Sequence, residues 1–131
     1  MSEPIDVVTH FCAAFSEGRS GLHQAIRRWF TPQTVWINVG LATTTGIDEA
    51  IALVEQLERT MGIDSVRIEM LAIAAAGNKV LTERLDYMVD AAGKVMNEDP
   101  VMGIFEVDGE SILAWRDYFD SASALARIKQ G

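Results

Sequence analysis

The sequence predicts an α+β fold in which helices cover one face of a curved, mixed or antiparallel β-sheet, leaving a cone whose interior can hold a small molecule. Two observations predict it. Apolar residues recur at helical spacing through the first half of the chain, and from Ser65 onward the period changes to two, punctuated by turn chemistry. With 131 residues, 49% of them hydrophobic and 23% charged, the chain suits one domain over residues 1–131.

Ile5, Val8, Cys12 and Phe15 form the apolar stripe of a first helix, with Asp6, His10 and Glu17 opposite and Pro4 suited to its first turn. After the break Glu17-Gly18-Arg19-Ser20-Gly21, the residues Leu22, Ile26, Trp29 and Phe30 mark a short second helix that Thr31-Pro32 stops. Residues 34–39 (TVWINV) read as a strand. Gly46 precedes a third helix with Ile47, Ala50, Ile51, Val54 and Leu57 on one face, ended at Met61-Gly62. Gly77-Asn78, Ala92-Gly93 and Asp108-Gly109 then divide the chain into about three or four sequential antiparallel strands. The last, residues 111–119, leads into Asp120 and Ser121, N-caps for a short C-terminal helix through Ile128.

Composition excludes several classes. Eleven Lys and Arg against nineteen Asp and Glu leave a net charge of −8, which a phosphate backbone or an anionic membrane would repel. Neither nucleic acid nor membrane is an expected partner, and residues 70–77 are far too short an apolar run to span a bilayer. The single cysteine, and a start MSEPIDVV without the basic flank or apolar stretch of a signal peptide, predict a cytoplasmic protein. One cysteine and two poorly spaced histidines offer no metal-ligand cluster, and there is neither a Gly-rich phosphate loop nor a G-x-S-x-G elbow. His10 and His23 are expected to face solvent, and Cys12 to belong to the core.

Strand parity singles out the polar residues that bear on function. Val80, Thr82, Arg84, Asp86 and Met88 share one face of their strand, although parity alone does not say which face is inside. In the final strand, Ser111, Leu113, Trp115, Asp117 and Phe119 share a face, against Ile112, Ala114, Arg116 and Tyr118. Asp117 thus sits between two large aromatics, where an ionised carboxylate needs a partner or a raised pKa. Asn38 shares a face with Trp36. Were Arg84 and Asp86 to face the same interior, one guanidinium would fork two carboxylates and hold one as an acid and one as a base. Plainer readings stay open here: a surface ion pair for Arg84-x-Asp86, a loop cap or dimer contact for Asp117, a strand-edge bond for Asn38.

The segments Thr82-Glu83-Arg84-Leu85-Asp86 and Trp115-Arg116-Asp117-Tyr118-Phe119-Asp120, separated by Gly103-Ile104-Phe105 and an Asp-Gly turn, resemble the limonene-1,2-epoxide hydrolase family. The likeness runs from the Phe11 helix through Gly46-Ile47-Asp48-Glu49-Ala50 to the C-terminal helix. It implies the cone-shaped α+β roll of the nuclear-transport-factor-2-like, SnoaL-like or cystatin-like superfamily, three N-terminal helices and a short C-terminal one, a homodimer, and no metal or organic cofactor. It further implies that Arg84 bridges Asp86 and Asp117, that Asp86 protonates the epoxide oxygen, that Asp117 activates water, and that Asn38 helps hold that water. The activity implied is addition of water to a small hydrophobic epoxide, giving a vicinal diol. Trp36, Met88, Val101, Phe119, Phe15 and Ile63 are the expected substrate-binding lining. An isomerase or cyclase of the same superfold, and a non-catalytic small-molecule-binding module, are the alternatives.

One position departs from the family, which places a tyrosine two residues before the Asn where this chain has Trp36. A phenol donates and accepts, whereas an indole only donates. Trp36 is therefore expected to wall the pocket and leave the water to Asn38 and Asp117, or else the nucleophile site is reorganised. The polar Asp99-Pro100 stretch points to a substrate other than limonene oxide itself.

Overall fold

The computed structural model describes residues 3–18 and 20–130; Met1 and Ser2 of the amino-terminal segment, Arg19 of the inter-helix break and Gly131 lie outside the described residues. The first helix, α1 (Pro4–Ala14), opens with Pro4 in its first turn and a capping box between Glu3 and Asp6, which satisfies backbone N–H groups that the helix cannot. It buries Val7, Val8, Phe11 and Cys12. In α2 (Gly21–Trp29), Ala25, Ile26 and Trp29 face inward. The third helix, α3 (Gly46–Met61), buries Ala50, Ile51 and Val54 and stops at Gly62, whose φ of 71° makes it a left-handed C-cap.

Six strands form one mixed sheet: β1 (Phe30–Asn38), β2 (Ala42–Thr45), β3 (Ser65–Ala76), β4 (Lys79–Val89), β5 (Val95–Asp108) and β6 (Ser111–Tyr118), in the order β2-β1-β6-β5-β4-β3. Sequential strands β3 to β6 pair antiparallel, as the turn signals predict, while β1 runs parallel to β6. A last helix, α4 (Ser121–Gln130), is capped by the Asp120 carboxylate, which accepts from the Ser123 N–H at 3.1 Å.

Three features correct the sequence reading. The strand β2 is absent from it; with only Ala42–Thr45, it is too short to show a period. Phe30 begins β1 rather than ending the second helix, and Thr31-Pro32 belongs to a bulge: Phe30 pairs with Ile112 but Val35 with Ala114. Thr34 pins this bulge, its hydroxyl donating to the Ile112 carbonyl at 2.6 Å. The alternation predicted for the last strand also fails at its start. Glu106 pairs with Ala114 and Val107 with Ile112, so Leu113 is an extra residue; Ile112 is buried and Leu113 exposed, while Trp115 and Asp117 keep their inward facing.

The core lies between the inner sheet face and the helices. Phe11 packs edge-on to Trp115 at 5.2 Å, and Trp115 is stacked between Trp36 at 4.7 Å and Phe105 at 5.4 Å. Burying each such side chain contributes about 1.5–3 kcal/mol, so this slab of rings is a rigid wall for whatever adjoins it. His23 is not free on a solvent face: its Nε2 lies 3.0 Å from both Glu58 carboxylate oxygens, tying α2 to α3. His10 is exposed and Cys12 buried, as expected.

Candidate active site

Cross-strand register gathers the polar residues. In β4 the inner face carries Val80, Thr82 and Arg84, all buried, followed by half-buried Asp86 and Met88. Thr82 lies opposite Gly103, which lies opposite Asp117, and Asp117 is the parallel partner of Asn38. One row of the sheet therefore reads Thr82, Gly103, Asp117, Asn38. The next holds Arg84 and Val101, and the one after it Asp86 and Asp99.

Arg84 has a fully buried side chain, and such a charge is tolerable only if its donors are met. All five N–H bonds are met. Nε donates to Asp86 Oδ1 at 3.1 Å, Nη2 to Asp86 Oδ2 and Asp117 Oδ2 at 2.9 Å each, and Nη1 to Asp117 Oδ1 at 3.0 Å and the Thr82 hydroxyl at 3.1 Å. Trp115 Nε1 adds a bond to Asp117 Oδ1 at 2.7 Å. Burial alone would loosen the Arg84 proton, but the Asp117 and Asp86 carboxylates outweigh it and raise the pKa. Asp86 is held above the usual carboxylate range: burial raises it, hydrogen bonding and the charge of Arg84 oppose, and the Asp117 and Asp99 charges add to the rise.

The guanidinium fits because Gly103 has no side chain. A Cβ there would overlap Arg84 Nη1 and Asp117 Oδ1. Gly103, Thr82 and Trp115 are the site residues that sequence reasoning missed as such, and a glycine inside a strand pattern was the available signal.

Two adjoining cavities meet this cluster and share Asn38, Leu57, Asp86, Met88 and Asp117. The first, about 110 Å³, is walled by Phe15, Trp36, Ile63, Val66 and Trp115. The second, about 90 Å³, lies under α4 and is lined by Val101, Phe119, Asp99 and Arg127. Each residue predicted from the sequence as catalytic or lining thus borders one cavity or the other, except Arg84, which lies behind both carboxylates. Trp36 Nε1 is buried without a hydrogen-bond partner. Cys12 is no nucleophile, since burial pushes its thiol up to about 12, with Arg84 opposing. Among the described residues no group of three or more His, Cys, Asp or Glu is placed to hold a metal ion.

Residues 2–130 match the family model of the limonene-1,2-epoxide hydrolase catalytic domain. The chain belongs to this family. It is 35% identical over 97 residues to the epoxide hydrolase EphG of Mycobacterium tuberculosis, a stretch that covers 74% of this chain and 62% of that relative. A solved limonene-epoxide-hydrolase-like epoxide hydrolase from M. tuberculosis superposes with a TM-score of 0.71 at 27% identity, over 98% of this chain and 90% of that one. An NTF2-like protein of unknown function from Burkholderia pseudomallei shares the fold, with a TM-score of 0.76 at 18% identity over 98% of each chain. The resemblance to the limonene-1,2-epoxide hydrolase family, the α+β class and the NTF2-like architecture are thus all borne out.

Proposed function

We propose that this chain hydrolyses a small epoxide to a vicinal diol in one step, without a cofactor. The observation that carries the reading is the Arg84 fork, whose single Nη2 lies 2.9 Å from Asp86 Oδ2 and 2.9 Å from Asp117 Oδ2. Oδ1 of Asp117 already accepts from Trp115 and Arg84, so Oδ2 is the oxygen with capacity to take a proton from water. That water, held between Asp117 and Asn38, attacks a ring carbon as its proton passes to Asp117. The carbon–oxygen bond breaks, and the departing oxygen takes the proton of Asp86, whose raised pKa suits a group that must arrive protonated. The cycle closes when Asp117 loses a proton and Asp86 regains one. Arg84 has no N–H left for substrate, so its role is to position the two carboxylates. Trp36 walls the pocket, and Met88, Val101, Phe119, Phe15 and Ile63 line the space for the ring substituents.

Asp117→Asn tests this: turnover of a panel of small epoxides falls at least about a thousandfold while the circular dichroism spectrum is unchanged. Near-full hydrolysis by that variant would sink the assignment. Isomerase or cyclase chemistry would instead show exchange of carbon-bound protons with heavy water and no oxygen gained from water.

A homodimer formed through the outer sheet face belongs to the same reading. Leu81, Met102 and Tyr118 leave large apolar side chains exposed there, in rows set by the β4–β5–β6 register, and Leu113 is exposed at the bulge of β6. Sedimentation is expected to give a dimer that Met102→Asp dissociates. A cytoplasmic location fits the one free, buried thiol, and no helix among the described residues is long and apolar enough to cross a membrane.

A further inference from the structure

Asp86, the proposed general acid, is gripped by the group that most favours its ionised form. Arg84 donates to both of its oxygens, Nε to Oδ1 at 3.1 Å and Nη2 to Oδ2 at 2.9 Å, and a guanidinium so placed favours the carboxylate over the acid. Asp117 supplies an opposing like charge, but in the proposed cycle it takes a proton from water, so its charge is not constant through the reaction. A lasting counterweight to Arg84 has to come from another element.

The neighbours of Asp86 narrow the choice. In the ladder its partner on one side is apolar Ile68 of β3, and on the other Asp99 of β5. Around the cavity under α4, β1 brings neutral Asn38, α3 brings Leu57 and Met61, and α4 brings Arg127. Cys12 of α1 is a thiol that burial keeps protonated. Glu58, bonded to His23 of α2, and Asp64 border the other cavity. Asp99 alone of these acids is a direct cross-strand partner, and it lines the same cavity as Asp86. Such partners have Cβ atoms about 4.5–5.5 Å apart, and like charges facing each other there repel.

Asp99 is also fixed in place. Its Oδ2 accepts from Asn97 Nδ2 at 2.8 Å, and its two oxygens accept from Arg127 Nη2 at 3.0 and 3.2 Å. The Arg127 side chain is the more exposed of the pair, 30% against 18%, so water screens more of its charge. The Asp99 charge adds to the rise in the pKa of Asp86.

We propose that Asp99, steadied by Arg127, is a positioning residue for the proton of the general acid: its fixed negative charge, across the ladder from Asp86, keeps that proton on Asp86 against the pull of Arg84 until the ring oxygen takes it. This rests on the hydrolase reading for the role of Asp86, but not for the coupling between the two carboxylates.

Asp99→Asn and Arg127→Gln test it, since each removes one charge and keeps a side chain able to hydrogen-bond. Two quantities are followed in the wild type and the variants: the pH profile of kcat/KM for a small epoxide, which reports the free enzyme, and a carbon-13 NMR titration of the Asp86 carboxyl, assigned with Asp86→Asn, without substrate. In Asp99→Asn the alkaline limb and the Asp86 midpoint should both move to lower pH, by about 0.5 or more; in Arg127→Gln both should move to higher pH. Asp99→Glu, which restores the charge, should return the limb toward its wild-type position. A merely structural ion pair would make the two charge-removing variants alike. An Asp86 midpoint unmoved by Asp99→Asn, or moved in the same direction by both variants, overturns the proposal. Should circular dichroism show Asp99→Asn unfolded, Arg127→Gln decides alone, and a midpoint that stays or falls overturns it. If the midpoints move as stated but no epoxide is hydrolysed, the hydrolase reading fails and the coupling stands. If epoxides are hydrolysed and the midpoints do not move, the reverse holds.

Discussion

Trp115 donates its indole N–H to Asp117 Oδ1 at 2.7 Å, two residues along the same strand. Together with Arg84 Nη1 at 3.0 Å on that oxygen, it fills one side of the carboxylate and directs the remaining lone pair of Oδ2 to the cavity. The carboxylate is therefore aimed by a donor that is itself clamped between Trp36 and Phe105. Trp115→Phe keeps the stacking surface and removes the donor. Steady-state kinetics should show kcat lowered by about tenfold with KM little changed, because the loss falls on Asp117, the proposed base, and not on the apolar wall.

Gly103 is required for space. A methyl group at this position would overlap Arg84 Nη1 and Asp117 Oδ1, and a buried, fully bonded guanidinium has nowhere to retreat. Gly103→Ala should cost about 1–3 kcal/mol in urea denaturation and lower kcat by about a hundredfold, the scale set by displacing a catalytic group by an ångström.

Asp86 links stability to pH. Since burial raises its pKa above the ordinary value, Asp86 holds its proton more tightly in the folded chain than in the unfolded one. Its contribution to stability is fully present below the unfolded pKa and is lost as pH climbs through the folded one. The role proposed for it in catalysis has the same sign, because a general acid works only while protonated, so the fall in kcat/KM on the alkaline side should follow Asp86. Asp86→Asn mimics the protonated form in shape. Thermal melts of the wild type should show this loss as pH climbs, and the Asp86→Asn variant, which has no carboxyl there to ionise, should lack it while its epoxide turnover drops by about a thousandfold or more.

Trp36 stands where the family places a tyrosine, and its indole N–H is buried and unpaired. Trp36→Tyr would supply a hydroxyl able both to donate to water and to accept from it. An increase in kcat of about fivefold is expected, the worth of one added neutral hydrogen bond. A loss of activity instead would mean that stacking of Trp36 on Trp115 outweighs any help to the water.

How much of this was legible in the sequence differs from strand to strand. The alternation of Val80, Thr82, Arg84 and Asp86 put the Arg and Asp on one face, and burial of Val80 and Thr82 makes that face the inner one. The same rule failed at Leu113, because a bulge adds a residue and resets the parity, and nothing in the local pattern marks it. Phe30 reads as a helix end because the parallel pairing that recruits it to β1 comes from β6, far along the chain, and Pro32 lies in the bulge that follows it. Asp99–Arg127 and His23–Glu58 were invisible for a similar reason: each joins separate elements, and pairing across a fold leaves no spacing to read. Gly103 stands in the Gly103-Ile104-Phe105 segment, but its role emerges only from Arg84 lying over it.

In the proposed hydrolysis, water itself, activated by Asp117, attacks the ring in a single step. A single turnover with enzyme in excess over epoxide, run in water enriched in oxygen-18 and read by mass spectrometry of the diol, tests it most directly. Direct attack by water puts one heavy oxygen in essentially every diol of that first turnover. Diol whose added oxygen is light would mean that it came from an enzyme carboxylate through a covalent ester, which rules out direct attack by water.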